Sequence, residues 1–339
     1  MCFKTSILSF RLFVYASTCR AFSMDIVHNM TSGNVTYNQT TEDVPTNSDL
    51  VLKWTSFLIF LGIICSNIVV IVLLHIGDRK SRMGFFVANL AIADFSLGLL
   101  YVLPDTLFNR FNVPWNHHLC YISYVYISQV PFYVSTYAIV VISIDRAYVI
   151  VKPLAAASTG KHYRYGLALS AWVIGCIIAI PYGVQGRFIE KTGECIHELP
   201  SLGFVYFDLC TIIVIPVIVI SICYILIIIK IRRRETYGLI KVKNNQPGVD
   251  VNRSIQMTAI SKAKIKTIKL LLVVVFVYII CWAPITIDSF LLNIKCIESG
   301  TWSVVLYVLA PINSLANPLV FLIFNQKMFR RKNICSERR

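Results

Sequence analysis

Residues 313–324 read NSLANPLVFLIF. Two asparagines and a proline interrupt an otherwise apolar run, and each would weaken an ordinary buried helix. What they do depends on the solvent around the segment. Asn313 and Asn317 stand one helical turn apart, so they share a face that can turn toward other helices instead of lipid. Pro318 removes a backbone hydrogen bond beside them and leaves a deformable point. The stretch reads as a membrane-crossing helix carrying a hinge.

The rest of the chain is of the same kind. Its 339 residues are 56% hydrophobic and only 14% charged, too apolar and too long for one soluble core. A helix needs about 20 residues to cross roughly 30 Å of hydrocarbon. Stretches of that kind lie at Leu50 to His75, Gly84 to Asn109, Leu119 to Ile150, Arg164 to Val184, Phe204 to Lys230, Lys266 to Asn293 and Trp302 to Phe324. Exposed loops and open sheet edges are excluded at membrane depth, and the runs lack the alternation of barrel strands. The expected fold is all-α: a seven-transmembrane helix bundle over 50–324, a tail at 1–49, and a short amphipathic eighth helix with a tail at 325–339.

A formal net charge of +15 would fit a nucleic-acid partner, but the charge gathers on alternate loops. Arg79, Lys80 and Arg82 follow the first span, Lys152, Lys161 and Arg164 the third, and IRRRETYGLIKVKNN the fifth; the tail carries MFRRK. By the positive-inside rule these segments face the cytoplasm and the amino terminus lies outside. Asn29, Asn34 and Asn38 each begin an N-x-S/T sequon, as outer glycosylation sites would. Residues 1–23 have a basic start and a modest apolar stretch, but Arg11 interrupts it and no clear cleavage site follows. They read as a poor signal peptide or an upstream start before Met24, with 24–49 as the glycosylated tail.

Five of the eleven cysteines, Cys65, Cys176, Cys210, Cys223 and Cys281, lie in apolar spans, where they serve as small hydrophobes. Cys120 and Cys195 instead lie at the outer side, where a disulfide would persist, and are expected to be joined. Cys296 is also outside but has no obvious partner. Cys335 sits in the basic tail and suits palmitoylation. No C-x-x-C or H-x-x-x-H spacing marks a metal site.

Intramembrane charge is costly, about 2.5–3.5 kcal/mol on insertion scales, and marks functional positions. Asp94, in NLAIADFSLG, is read as the only deep acid. Asn67, Ser135, Asn313, Ser314 and Asn317 could satisfy it from other spans. Carboxylate, hydroxyl and amide oxygens suit a sodium ion, or a proton could neutralise the acid; a purely structural hydrogen-bond network is the alternative. Asp145 and Arg146, in SIDRAYVIVKP, mark the inner end of the third span, where snorkelling alone would explain an arginine. Pro216, Tyr224, and the CWAP run with Trp282 and Pro284 complete the constellation.

Asn67, LAIAD, Asp145-Arg146, Trp172, Pro216, CWAP and NPLVF together resemble rhodopsin-like (class A) G-protein-coupled receptors over Leu50 to Lys332. KSRMGFFVANLAIAD, ISKAKIKTIK and APINSLANPL look most like the branch of receptors for neuropeptide S, arthropod cardioactive peptide, vasopressin and oxytocin. The resemblance implies that Arg146 meets a heterotrimeric G protein when helix six swings outward. It further implies that Trp282 senses ligand, and that the Asp94 cluster is a sodium site. Pro284 and Pro318 would be switch positions. Some motifs depart from the family pattern. Ala147 replaces the tyrosine of DRY, and Phe321 stands where a tyrosine usually joins a network with Tyr224. Lys264 replaces an acid that in some relatives pairs with the arginine. Cys120 is one residue farther from Arg146 than usual, which a bulge or kink near Pro131 would reconcile.

The seventh span lacks the lysine that a retinal Schiff base needs, which excludes an opsin. The amine-binding aspartate, eighteen residues before Arg146, is replaced by Ser128. Peptide amides and a basic side chain would suit Tyr101, Asp105, Ser128, Gln129, Gln185, Trp282 and Asp288. The expectation is a plasma-membrane receptor for an extracellular neuropeptide, with the lipid bilayer as solvent and no nucleic acid. The alternatives are a coupling-impaired receptor that binds without signalling, and a receptor for a non-peptide small molecule. A transporter would want a continuous polar path, and an enzyme a nucleophile-base pair or metal motif; neither is present.

Overall fold

A computed structural model describes residues 47–76, 82–190, 193–197, 202–244, 251–294, 296–297 and 300–324. Seven helices in it are long and apolar enough to cross a membrane. They are α1 (Asp49–Ile76), α2 (Arg82–Arg110), α3 (Val125–Val151), α4 (Lys161–Val184), α5 (Gly203–Arg233), α6 (Leu272–Asn293) and α7 (Trp302–Phe324). They match the expected spans to within a few residues. The three sequons, Cys335, residues 1–23 and the expected eighth helix lie outside the described residues.

α3 is the axis of the bundle: 72% of its most apolar window is buried, against 22% for α4. Pro131 through Ser143 are buried without interruption, whereas Leu58, Val72, Ile177, Ile222 and Phe276 point outward as lipid-facing side chains would. Lipid tails are as apolar as leucine, so close packing and interhelical hydrogen bonds must hold such helices together. α4 meets α3 through a stripe of small residues, Ala171, Gly175 and Ala179. A Cβ at Gly175 would fall 2.6 Å from Val134 Cγ2 and 3.1 Å from the Val134 backbone nitrogen, so the approach is open only to glycine. Ser56 and Thr106 hydroxyls, 2.6 Å apart, join α1 to α2, and Trp172 Nε1 donates to Asn89 Oδ1 at 3.1 Å to join α4 to α2.

Ahead of α3, Leu119–Ile127 winds as a π-helix before the α-helical run from Gln129. Its wider turn absorbs the extra residue between Cys120 and Arg146. Between α4 and α5 a hairpin forms from β1 (Gly186–Ile189) and β2 (Glu194–His197), with Phe188 opposite Cys195. Cys195 is joined to Cys120, which pins the hairpin over the start of α3, as expected. Gly186 permits this: a Cβ there would lie 2.2 Å from the Val125 side chain. Cys296, for which the sequence offers no obvious partner, is disulfide-bonded.

Candidate functional site

The hairpin end of the bundle holds a cavity of about 460 Å³ between α2, α3, α4, α5, α6 and α7. Four expected residues line it: Tyr101, Asp105, Gln129 and Trp282. Tyr101, Phe132 and Trp282 form an edge-to-face series, with ring centroids 4.4 Å and 5.2 Å apart. Asp105 accepts from Asn109 Nδ2 at 2.9 Å and has Arg110 Nε 3.7 Å away, so its charge is locally offset.

Two expected residues do not line the cavity. Ser128 is fully buried and accepts from Gln129 Nε2 at 3.3 Å. Asp288 is buried in α6, whose cavity face is set by Trp282, Ile285, Thr286 and Ser289. Asp288 sits at the edge of that face, three positions after Ile285 and four before Leu292, and its side chain is buried without lining the cavity. The side chain of Gln185 lies outside the described residues.

The wall of α5 supplies what the sequence reading missed. Asp208 lines the cavity, and its Oδ1 accepts from the hydroxyls of Tyr133 at 3.0 Å and Tyr182 at 2.5 Å. Asp208 is part-buried and lies five residues into α5 from its hairpin end; a lone aspartate eight residues before Pro216 inside an apolar span was the available signal. The helix changes pitch at Asp208: Leu202–Asp208 is α-helical and Leu209–Val214 is π-helical. Ile215 N–H reaches Cys210 O, and Pro216 then has no N–H to give. The carbonyls of Thr211 and Ile212 accept instead from the hydroxyls of Tyr137 at 3.2 Å and Tyr278. Tyrosines from α3 and α6 therefore hold the irregular turn that presents Asp208.

At mid-bundle Asp94 is fully buried. Oδ1 accepts from Ser135 Oγ at 2.6 Å and Ser314 Oγ at 2.7 Å, and Oδ2 from Asn317 Nδ2 at 2.9 Å. Three helices thus converge on one carboxylate. Asn67 and Asn313 are buried but do not bond it. Asn67 Nδ2 donates to Ile63 O at 2.9 Å and to Ser314 O at 3.1 Å. The second is the carbonyl one turn before Pro318, the acceptor that proline cannot satisfy. Asn67 completes the backbone of α7; it does not solvate the acid. The buried amide oxygens of Asn67, Asn313 and Asn317 have no donor among the described residues.

At the opposite end, Asp145 is fully buried and Arg146 Nη2 donates to its Oδ2 at 2.6 Å. Arg146 is 13% exposed and folded onto its neighbour, not snorkelled outward. A second cation was not anticipated. Arg82 Nε donates to Asp145 Oδ1 at 2.7 Å, and its Nη1 donates to Ala156 O at 2.8 Å and Thr159 Oγ1 at 2.9 Å. Its guanidinium lies 6.0 Å from the Tyr148 ring and 5.4 Å from the Tyr163 ring. Arg82 therefore ties α2 to α3 and to the short helix Pro153–Ser158. Tyr224 and Phe321 are buried, and the Tyr224 hydroxyl has no partner among the described residues. The side chain of Lys264 lies outside them.

The family described as 7 transmembrane receptor (rhodopsin family) matches residues 66–321. The neuropeptide S receptor of Rattus norvegicus is 32% identical over 289 residues, covering 80% of this chain and 76% of the relative. The mesotocin receptor of Rhinella marina is 25% identical across 89% of this chain and 81% of the relative. The oxytocin receptor of Ovis aries is 26% identical across 84% and 78%.

Proposed function

The chain belongs to the rhodopsin family of seven-transmembrane receptors, and from that premise we propose that it sits in the plasma membrane and answers a small extracellular peptide by activating a heterotrimeric G protein. The amino terminus and the hairpin face outside; the Arg146 end faces the cytoplasm. One observation carries the peptide reading: an apolar cavity with convergent polar groups lies at the end of the bundle that carries a disulfide-pinned hairpin, in a chain whose relatives bear the names of peptide receptors.

The mechanism is a population shift. A ligand that binds the state with α6 moved outward more tightly than the resting state pulls the equilibrium toward it. Trp282 forms part of the cavity wall and packs on Phe132, so ligand there bears directly on α6 and α3. Pro284 and Pro318 interrupt the ladders of α6 and α7 and give both helices a place to bend. In the resting state Asp145 holds Arg146; release would free the guanidinium for the G protein.

The mid-bundle site fits a sodium ion. Asp94, Ser135, Ser314 and the donor-free oxygen of Asn317 would hold it, since a hard cation takes oxygen ligands. Bound there, sodium would supply the positive charge that Asp94 lacks and favour the closely packed arrangement of α2, α3 and α7.

A screen of amidated and disulfide-cyclised peptides on cells displaying the chain, read as calcium and cyclic AMP, tests the reading; at least one peptide is expected to raise a second messenger. A silent receptor is the second reading, favoured by Ala147, by Phe321 and by the unpartnered Tyr224 hydroxyl. Peptides that bind without any second messenger would support it instead.

A further inference from the structure

We propose that Asp208 is a subsite for a cationic group of the ligand, a lysine or arginine side chain or a free amino terminus, and that it sets which ligands the cavity accepts. The inference rests on the peptide-receptor reading and adds to it a residue and a ligand chemistry.

Asp208 lines the cavity, yet among the described residues no cation pairs with it. The described ion pairs involve Asp145 with Arg82 and Arg146, and Asp105 with Arg110. Asp105, the other carboxylate of the cavity, therefore already has its counter-charge. Asp94 differs in another way, because donors occupy both of its oxygens. Asp208 has Tyr133 and Tyr182 on Oδ1, and Oδ2 takes no hydrogen bond among the described residues. One oxygen is anchored and the other is left to the cavity.

The anchoring itself argues for a binding role. The two phenols, 3.0 Å from each other, come from α3 and α4, so the carboxylate is fixed from two helices besides its own. Asp208 also stands at the change from α to π winding, a form of irregularity that frequently accompanies function. An ionised group facing a largely apolar cavity is costly unless paired, and a ligand cation reaching Oδ2 would supply the missing pair. Arg110, on the α2 side of the same cavity, would disfavour a second cation there and so orient the ligand along the cavity.

A random peptide library, linear and disulfide-cyclised, panned on cells displaying the full chain provides the test, with surface amounts matched by an epitope tag. Binders are then remade with citrulline for arginine, norleucine for lysine, or an acetylated amino terminus; these arms separate the three sources of the cation. One of the changes should weaken binding to the native chain roughly tenfold or more, since a hydrogen bond to a charged group is at stake, and should matter little on Asp208→Asn. Asp208→Arg should shift selection toward acidic peptides. Should the variants fail to reach the surface, the neutral analogues on the native chain still decide. Enriched peptides that lose nothing on neutralisation overturn the subsite alone; a library that yields no binder overturns the peptide reading together with it.

Discussion

Arg82 and Asp145 form an ion pair across two helices, with Nε and Nη2 of the guanidinium 2.7 Å and 2.6 Å from the same carboxylate oxygen. Arg146 takes the other oxygen. One buried carboxylate thus serves two arginines, and Arg82 also fastens the loop helix Pro153–Ser158 through Ala156 O. This arrangement of the Arg146 end is held from α2 and the loop, and among the described residues it uses no acid from α6.

Arg82→Gln should therefore loosen that end. Removing a charge-assisted contact is worth about 1.5–3 kcal/mol, so purified protein should melt at a lower temperature. Basal second-messenger output should rise because α3 is no longer tied to α2 and to the loop helix. An unchanged melting temperature with unchanged basal output would mean that the pair is ornamental.

The Asp94 site makes a prediction that needs no ligand. Native protein should be stabilised by sodium chloride relative to choline chloride at equal ionic strength, by about 1 kcal/mol or roughly 2–4 °C near saturation. Asp94→Asn should abolish the difference. Equal melting in the two salts for the native chain would leave Asp94 with a structural role only.

Asn67 and Pro318 should be energetically coupled. Asn67→Ala strands Ser314 O at a cost of about 1–3 kcal/mol. In a Pro318→Ala background the restored N–H can take that carbonyl, and the same Asn67 substitution should cost less by about 1 kcal/mol or more. Strict additivity in thermal or denaturant unfolding would contradict the assignment.

How much of this was legible beforehand follows from which features are local. Span positions depend on composition alone, and all seven helices lie where the apolar runs predict. The Cys120–Cys195 pair followed from two cysteines stranded at the same membrane face. Asp94, Ser135, Ser314 and Asn317 were found because membrane depth makes a carboxylate conspicuous. Arg82 was counted as one more inner-loop charge, since nothing in a run of basic residues tells which side chain folds back across 63 positions to Asp145. Asn67 and Asn313 were grouped with Asp94 by helix face, but facing inward does not decide between a carboxylate and a backbone carbonyl freed by proline. Asp208 lies near one end of its span, where a lone carboxylate reads as an ordinary polar helix end, and its partners Tyr133 and Tyr182 become neighbours only once α3, α4 and α5 pack.

Cys120→Ser should unpin the hairpin from α3. Loss of a native disulfide closing a loop of 75 residues is expected to remove about 2–4 kcal/mol. Surface display and peptide binding should both fall, the second further than the first. Full binding at normal surface density would show that the hairpin holds its place without the bond.

The central claim is that ligand in the outer cavity changes what the Arg146 end does to a G protein. Its most direct test is nucleotide exchange on purified heterotrimers by the chain reconstituted in vesicles, with and without a peptide selected for binding. Acceleration by the peptide, lost in Arg146→Ala while peptide binding persists, is the predicted result. A peptide that binds the cavity and leaves exchange unchanged for every heterotrimer class would contradict it.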